Sequence, residues 1–221
     1  MKTYYRGEHA KNYNRTWATF SQKTHDVTLS LIDFALVQQV ASREKRAPRF
    51  LDVGCGTGLL LERFVRLIPQ AEVYGIDGSE EMLLQAQCLL EDDPHAHLIQ
   101  GTLSAGAIAD LPYAPASFDI ITCTNTLHYL QDPVGIIREL KQLLAPQGQF
   151  VVEDYARRSF PFPWRLFEWI IKRNDPQHIR AYTLSEAREF CRQAGVEVIA
   201  SRTFTVDVVW HGWALCTRVS N

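Results

Sequence analysis

The sequence predicts an open α/β sheet, with strands buried on both faces and joined by amphipathic helices, and three observations carry that prediction. From Arg49 onward short apolar runs alternate with amphipathic stretches, which is how a parallel sheet covered by helices reads in sequence. Helix-boundary residues fall between those runs, where crossovers must start and stop. The stretch FLDVGCGTGLL, residues 50–60, passes from a buried strand through three glycines at alternate positions into a helix, the unit that opens such sheets. A chain of 221 residues suffices for one core, and no repeat, low-complexity tract or linker divides it, so residues 1–221 are expected to form one domain.

The elements follow in order. Residues 1–48 read as a helical segment: Val27, Leu29, Leu31, Ile32, Leu36, Val37 and Val40 recur on a helical period over 26–42. Arg43, Lys45 and Arg46 at its end complement the helix dipole. Strands are expected near 49–54, 71–77, 96–101, 118–124, 149–154, 196–204 and 207–218, with helices between them. Ser79 with Glu80 and Glu81, and Asp132 with Pro133, mark two helix starts. The helix opened by Asp132 is expected to end before the PQG at 146–148. In TLSE, Thr183 and Glu186 form a capping box, and Gly195 is placed to end that helix. Between the fifth strand and TLSE lies SFPFPWRLFEWIIKR, residues 159–173, a proline-led amphipathic helix dense in aromatic residues, within a lid-like insertion of about 156–182.

Composition excludes several classes. A formal net charge of −2 sets up no field drawing the whole protein to nucleic acid or an anionic membrane. The N-terminal MKTYYRGEHAKNYNRTW lacks an apolar run of signal-peptide kind. No later segment approaches the roughly 20 apolar residues that span a bilayer. A cytoplasmic protein without stable membrane association is expected. The five cysteines, Cys55, Cys88, Cys123, Cys191 and Cys216, stand singly without Cys-x-x-Cys spacing, and read as small packing residues with no disulfide or metal site.

Ligands of open α/β sheets bind beyond the carboxyl ends of the strands, and the glycine turn belongs there. Gly54, Gly56 and Gly58 give a G-x-G-x-G spacing; a dinucleotide fingerprint would need glycine at 59, which is Leu59, and no Gly-Lys-Ser/Thr follows for a phosphate loop. Asp52 beside the turn repels an anion and attracts a cation. A ligand with an ammonium and a sulfonium fits better than a pyrophosphate. Asp77 ends the run VYGID about 20 residues beyond the turn, the distance at which an acid reaches ribose hydroxyls in such folds.

LDVGCGTG at 51–58, GIDGSEEML at 75–83, DLPYAPASFDIITCTNTLHYLQDP at 110–133 and LKQLLAPQGQFVVED at 140–154 resemble the successive motifs of class I S-adenosylmethionine-dependent methyltransferases. They are most similar to the type 11 branch that includes quinone-biosynthesis methyltransferases. The resemblance implies a Rossmann-like seven-stranded sheet with helices on both faces and the last strand antiparallel, and S-adenosyl-L-methionine as cofactor. It implies that the glycine turn, with Cys55, holds the methionine part, Asp52 lies near its amino group, Asp77 binds the ribose, and Gly78 and Met82 line the adenine side. Asn125 and His128 would face the cofactor and the acceptor chamber.

One departure stands out. Where the branch has Gly-Asp after the third strand, this chain has Gly101-Thr102-Leu103, and an acid appears only at Asp110. Thr102, a backbone contact from Leu103, or Asp110 carried back by a longer loop would then serve the adenine amino group. On the acceptor side His128 is the candidate base, because histidine titrates near neutral pH. Tyr129, Asp154, His178 and Tyr182 are further chamber candidates, and Trp164 and Phe167 would shape an apolar or aromatic pocket from the lid. The segment TNTLHYL lacks the Asn/Asp-Pro-Pro-aromatic run that resembles amino-methylating nucleic-acid enzymes, and no basic stripe interleaved with aromatics is present. A small-molecule acceptor is therefore expected, and no nucleic-acid partner. The alternatives are a protein or RNA methyltransferase, a catalytically silent cofactor-binding module, and a nucleotide-sugar or dinucleotide enzyme on a similar fold.

Overall fold

A computed structural model describes residues 5–104, 106–108, 110–158 and 162–218. Among the described residues, four helices precede the sheet: α1 (Glu8–Lys11), α2 (Tyr13–Thr16), α3 (Ala18–Ser30) and α4 (Phe34–Glu44). There follow β1 (Arg49–Val53), α5 (Leu59–Leu67), β2 (Glu72–Asp77), α6 (Glu80–Leu89), β3 (Ala96–Gln100) and β4 (Phe118–Thr124). After a 3-10 turn at Leu127–Tyr129 come α7 (Pro133–Leu143), β5 (Leu144–Tyr155), α8 (Trp164–Asn174), α9 (Leu184–Ala194), β6 (Glu197–Thr205) and β7 (His211–Arg218).

The sheet has seven strands in the order β3-β2-β1-β4-β5-β7-β6, and β7 runs antiparallel to both its neighbours. β1 has β2 on one side and β4 on the other, both parallel. The strand order reverses there, which opens a crevice beyond the carboxyl ends of β1 and β4. Side chains alternate between two cores. Phe50, Ile120 and Val151 pack with Leu60, Leu61 and Phe64 of α5 on one face. Leu51, Ile121 and Val152 pack with α7 and α9 residues on the other. Burial on both faces is why these strands read as continuous apolar runs.

The helix boundaries follow the side chains expected to set them. Ser79 accepts the Met82 N–H at 3.4 Å and Asp132 accepts that of Gly135 at 2.8 Å. Thr183 and Glu186 form a reciprocal capping box, and Gly195 closes α9 in the left-handed conformation at φ 74°.

Three features differ from the sequence reading. The apolar period over 26–42 spans two helices, α3 and α4, broken at Leu31–Asp33. Asp33 caps α4 by accepting the Leu36 N–H at 3.0 Å, and buried Gln149 of β5 bonds the Asp33 backbone in both directions, at 2.8 and 3.2 Å. The break is thereby pinned to the sheet. α7 ends at Leu143, before the PQG segment as expected, but β5 starts at Leu144 and not near 149, and its pairing with β4 slips from Phe118↔Leu144 to Ile120↔Gln149 across an irregular stretch. Arg46 does more than complement a dipole, since it grips buried Asp119 through two bonds of 2.6 and 2.7 Å. Asp119 also accepts the Arg49 N–H at 2.9 Å, fixing the start of β1. Among the described residues, no helix is long and apolar enough to cross a membrane.

Candidate active site

The glycine turn is stitched to β2 by the N–H groups of Gly54 and Cys55, which both donate to the Ile76 carbonyl at 2.8 and 3.0 Å. Gly54, Gly56 and Gly58 have φ of 79°, 54° and 79°, the region that L side chains rarely adopt. Their surroundings separate them. A Cβ on Gly54 would collide with the Thr126 side chain, and one on Gly58 would press Ala86 of α6 at 3.0 Å. A Cβ on Gly56 would meet only the tip of Met82, at 3.4 Å. Gly54 and Gly58 therefore admit neighbouring protein, and Gly56 borders open space.

That space is a cavity of about 280 Å³ beyond β1 and β2. Its walls include Asp52, Gly54, Cys55, Gly56, Asp77, Gly78, Met82, Thr102, Leu103 and Asn125. Gly58 is not among them, and Asp110 is exposed away from it. No lysine or arginine is among the described lining residues. Asp52 is buried and accepts the Thr122 hydroxyl at 2.5 Å. Burial, only partly offset by that bond and reinforced by the Asp77 charge, pushes its carboxyl up to about 7. Asp77 accepts the Gly56 N–H on Oδ2 and the Ser79 N–H on Oδ1, both at 2.8 Å. Burial raises its pKa, while those amides pull it down. Each Asp77 oxygen retains a lone pair. The cavity thus presents two acidic acceptors, an unfilled cradle at Gly56 and, among its described lining residues, no lysine or arginine, a set that fits an ammonium, a sulfonium and ribose hydroxyls.

A second cavity, about 730 Å³, adjoins the first across Tyr5, Tyr13, Asn125 and Tyr129, which line both. Trp17, Phe20, Tyr155, Phe167 and Trp210 form its aromatic wall. Trp210 is the hub, with ring centroids 5.2–6.2 Å from Tyr155, Phe167, Phe20 and Trp17. His128 also lines this chamber. Its Nδ1 lies 2.8 and 3.0 Å from the two oxygens of buried Asp154, which also accepts the His128 backbone N–H at 2.9 Å. Nε2 is the ring nitrogen left for the chamber.

Besides Asp154, which reaches the chamber only through His128, three residues expected near the acceptor line neither cavity. Trp164 is buried in a satellite cluster with Tyr155 and Ala181. His178 bridges the Tyr155 hydroxyl, at 2.7 Å, and Glu168 of α8, at 3.2 Å, so it seats the lid helix. Tyr182 lies in the main core, where its carbonyl accepts the Trp213 indole N–H at 3.0 Å. Phe160 and Pro161 of the aromatic stretch lie outside the described residues.

Sequence reasoning missed the N-terminal segment, which roofs both cavities. Tyr5 bonds the Tyr129 hydroxyl at 2.9 Å, and Tyr129 donates to Asp175 at 2.5 Å. Ser79 holds the Tyr5 carbonyl at 2.7 Å, Gln85 holds that of Ala10 at 2.8 Å, and Thr57 donates to Asn14 at 2.6 Å. The available signal was the spacing of Tyr13, Trp17 and Phe20, one stripe at helical period.

Residues 51–152 match the family described as "Methyltransferase domain". An uncharacterized methyltransferase of Schizosaccharomyces pombe is 35% identical over 107 residues, covering 47% of this chain and 38% of that protein. A ubiquinone biosynthesis O-methyltransferase of Neisseria meningitidis is 29% identical over 176 residues, covering 77% and 73%. The solved structure of Haemonchus contortus phosphoethanolamine N-methyltransferase 2 in complex with S-adenosyl-L-methionine superposes with a TM-score of 0.65 at 15% identity, covering 79% of this chain and 49% of that one. Residues 51–152 thus match a methyltransferase domain of the type 11 kind that the motifs resemble, and fold, site and matches together support an S-adenosylmethionine-dependent methyltransferase.

Proposed function

We propose that the chain methylates a hydroxyl of a small molecule with an apolar or aromatic body. The single observation that carries this reading is the His128–Asp154 pair, with Nδ1 2.8 Å from the carboxylate, on the wall of an aromatic chamber beside the cofactor cavity. Bound S-adenosylmethionine supplies an electrophilic methyl on a sulfonium, a leaving group that needs no acid. The chain's own work is to align the acceptor, exclude water and receive one proton. Alignment alone can supply roughly 7–11 kcal/mol of the barrier.

A phenol-like hydroxyl has a pKa of about 10 and must lose its proton as the new O–C bond forms. His128 Nε2 receives it, and the Asp154 carboxylate stabilises the resulting imidazolium while fixing the tautomer. Asp52 and Asp77 take the ammonium and ribose ends of the cofactor. Asn125 and Tyr129, common to both cavities, stand where acceptor and cofactor meet. Phe167, Ile170 and Ile171 of α8 close the chamber over the acceptor's apolar body. The Tyr5–Tyr129–Asp175 bridge favours an acceptor of metabolite size over a protein or RNA chain. The ubiquinone O-methyltransferase relative points to the same acceptor chemistry.

The test is incubation with isotope-labelled S-adenosylmethionine and a panel of phenols, catechols, aliphatic amines and thiols, read by mass spectrometry. Labelled methyl ethers formed by wild type and lost in His128→Gln support the reading. Labelled amines or thioethers alone, or labelled protein or RNA alone in a cell extract, overturn it.

A further inference from the structure

α3 buries a face made of Ser21, Thr24, His25 and Thr28, spaced at i, i+3, i+4 and i+7. A helix lying on a sheet ordinarily turns an apolar stripe inward. Here hydroxyls and an imidazole take most of its place, so the buried face has polar work to do. Thr24 has its partners, donating to the Ser21 carbonyl at 3.1 Å and accepting the Asn125 side chain at 3.1 Å. His25 has none: no described residue hydrogen-bonds either ring nitrogen, although the residue is only 9% exposed. Neither nitrogen is sealed away, since His25 is absent from the buried side-chain atoms that lack a partner. The ring lines the cofactor cavity together with Asp52.

The nearby charges are already paired or belong to that cavity. Arg63 of α5 binds Asp26 at 2.5 Å and reaches the Gln22 carbonyl at 3.4 Å, closing the outer side of α3. Asp52 is one of the two acids lining the cavity, with the Thr122 hydroxyl as its side-chain partner, while Asp77 is engaged by the Gly56 and Ser79 amides. A buried acceptor and a buried donor, both open to one cavity, match the two ends of an α-amino acid.

We propose that His25 donates a hydrogen bond to the α-carboxylate of the cofactor's methionine part, while Asp52 receives its α-ammonium. The assignment rests on the cofactor identified above and adds the group that reads its carboxylate. His25 is neutral in the ligand-free protein, because burial, with Arg63 nearby, lowers its pKa to about 4. A neutral imidazole carries one N–H, which suffices for one bond, and the arriving carboxylate favours a second proton.

The experiment is calorimetric titration of wild type, His25→Ala and His25→Gln with S-adenosylmethionine and with its decarboxylated analogue, which keeps the sulfonium and the amine. Thermal unfolding of the ligand-free proteins accompanies the titrations. Wild type is expected to bind S-adenosylmethionine at least tenfold more tightly than the analogue. His25→Ala is expected to lose that preference by weakening S-adenosylmethionine while binding of the analogue stays within about twofold. His25→Gln, which retains an N–H donor, should keep part of the preference, and it carries the comparison if the alanine variant does not fold. Equal losses for both ligands in a folded variant, or an unchanged preference, overturn the proposal. If wild type binds both ligands equally well, the His25 assignment falls and the cofactor reading stands; if it binds neither, both fall.

Discussion

The carboxylate of Asp77 holds the Gly56 N–H at 2.8 Å, so the acid at the end of β2 shapes the turn at the end of β1. With the proposed ribose contact, Asp77 would act twice, once on the protein and once on its ligand. Asp77→Ala leaves the Gly56 and Ser79 amides without their acceptor, at about 1–3 kcal/mol for each one left unsatisfied. It should lower thermal stability as well as abolish S-adenosylmethionine binding. Asp77→Asn keeps one acceptor oxygen and should preserve more of the fold, yet weaken cofactor binding at least tenfold by calorimetry. Normal affinity in a folded Asp77→Asn protein would remove the ribose assignment.

The glycines should respond unequally. Gly56→Ala places a Cβ 3.4 Å from the flexible end of Met82, so its structural cost is chiefly left-handed backbone strain of about 1–2 kcal/mol. Cofactor binding should nevertheless fall sharply, because that Cβ enters the cavity. Gly54→Ala drives its Cβ into Thr126 and should destabilise the protein far more. Circular-dichroism melts beside calorimetry distinguish the two. Normal cofactor affinity in Gly56→Ala would make that glycine a structural corner.

Asp52 gives a pH signature. Its folded pKa is raised from 3.8 to about 7, so the folded state holds the proton more tightly than the unfolded chain. Its contribution to stability is present below about pH 4, is lost as pH rises to about 7, and is flat beyond. The loss is on the order of a few kcal/mol. Asp52→Asn should raise the melting temperature of the ligand-free protein at pH 8 and remove that slope between pH 4 and 7. In wild type, cofactor affinity should decline below pH 7, as the carboxylate proposed to receive the ammonium becomes protonated. A denaturation series with the same pH slope in wild type and Asp52→Asn contradicts this account.

The His128–Asp154 pair predicts a kinetic split. His128→Gln and Asp154→Asn should each lower turnover by about 10²- to 10⁴-fold. Cofactor affinity should stay near normal, since neither side chain lines the cofactor cavity. Affinity falling in parallel with turnover would instead make the pair a support for the Asn125–Tyr129 segment.

The sheet was legible because β1, β2, β4 and β5 are buried runs bounded by glycines and caps, a pattern that local physics writes into the residues themselves. The glycine turn with Asp52 and Asp77 was legible for a related reason: its geometry is local to two strand ends. Tyr13, Trp17 and His25 were not, because their position over the cavities depends on how α2 and α3 dock onto the glycine turn, α5 and β5, contacts more than 30 residues away in the chain for which no short motif exists. The same limit applied to His178 and Tyr182. A histidine and a tyrosine in a lid segment look alike in sequence whether they face a ligand or, as here, brace Glu168 and Trp213.

The aromatic lid helix separates two residues that sequence alone had grouped. Phe167 lines the acceptor chamber and meets Trp210 at a centroid distance of 5.3 Å. Trp164, one turn earlier on α8, lines neither cavity and is buried against Phe162 and Phe167, at 6.1 and 5.4 Å. Truncating Phe167 removes part of the chamber wall proposed to meet the acceptor. Phe167→Ala should therefore raise the acceptor KM or lower kcat, leaving cofactor affinity within about twofold. Truncating Trp164 leaves a void beneath the helix, a change that typically costs about 3–5 kcal/mol in a core. Trp164→Ala should lower the melting temperature markedly, with kinetic constants of the remaining folded protein near normal. The decisive measurement is the pair of variants assayed at a temperature where both are folded. If Phe167→Ala melts early with unchanged KM, or Trp164→Ala changes KM selectively, α8 presents a different face to the acceptor.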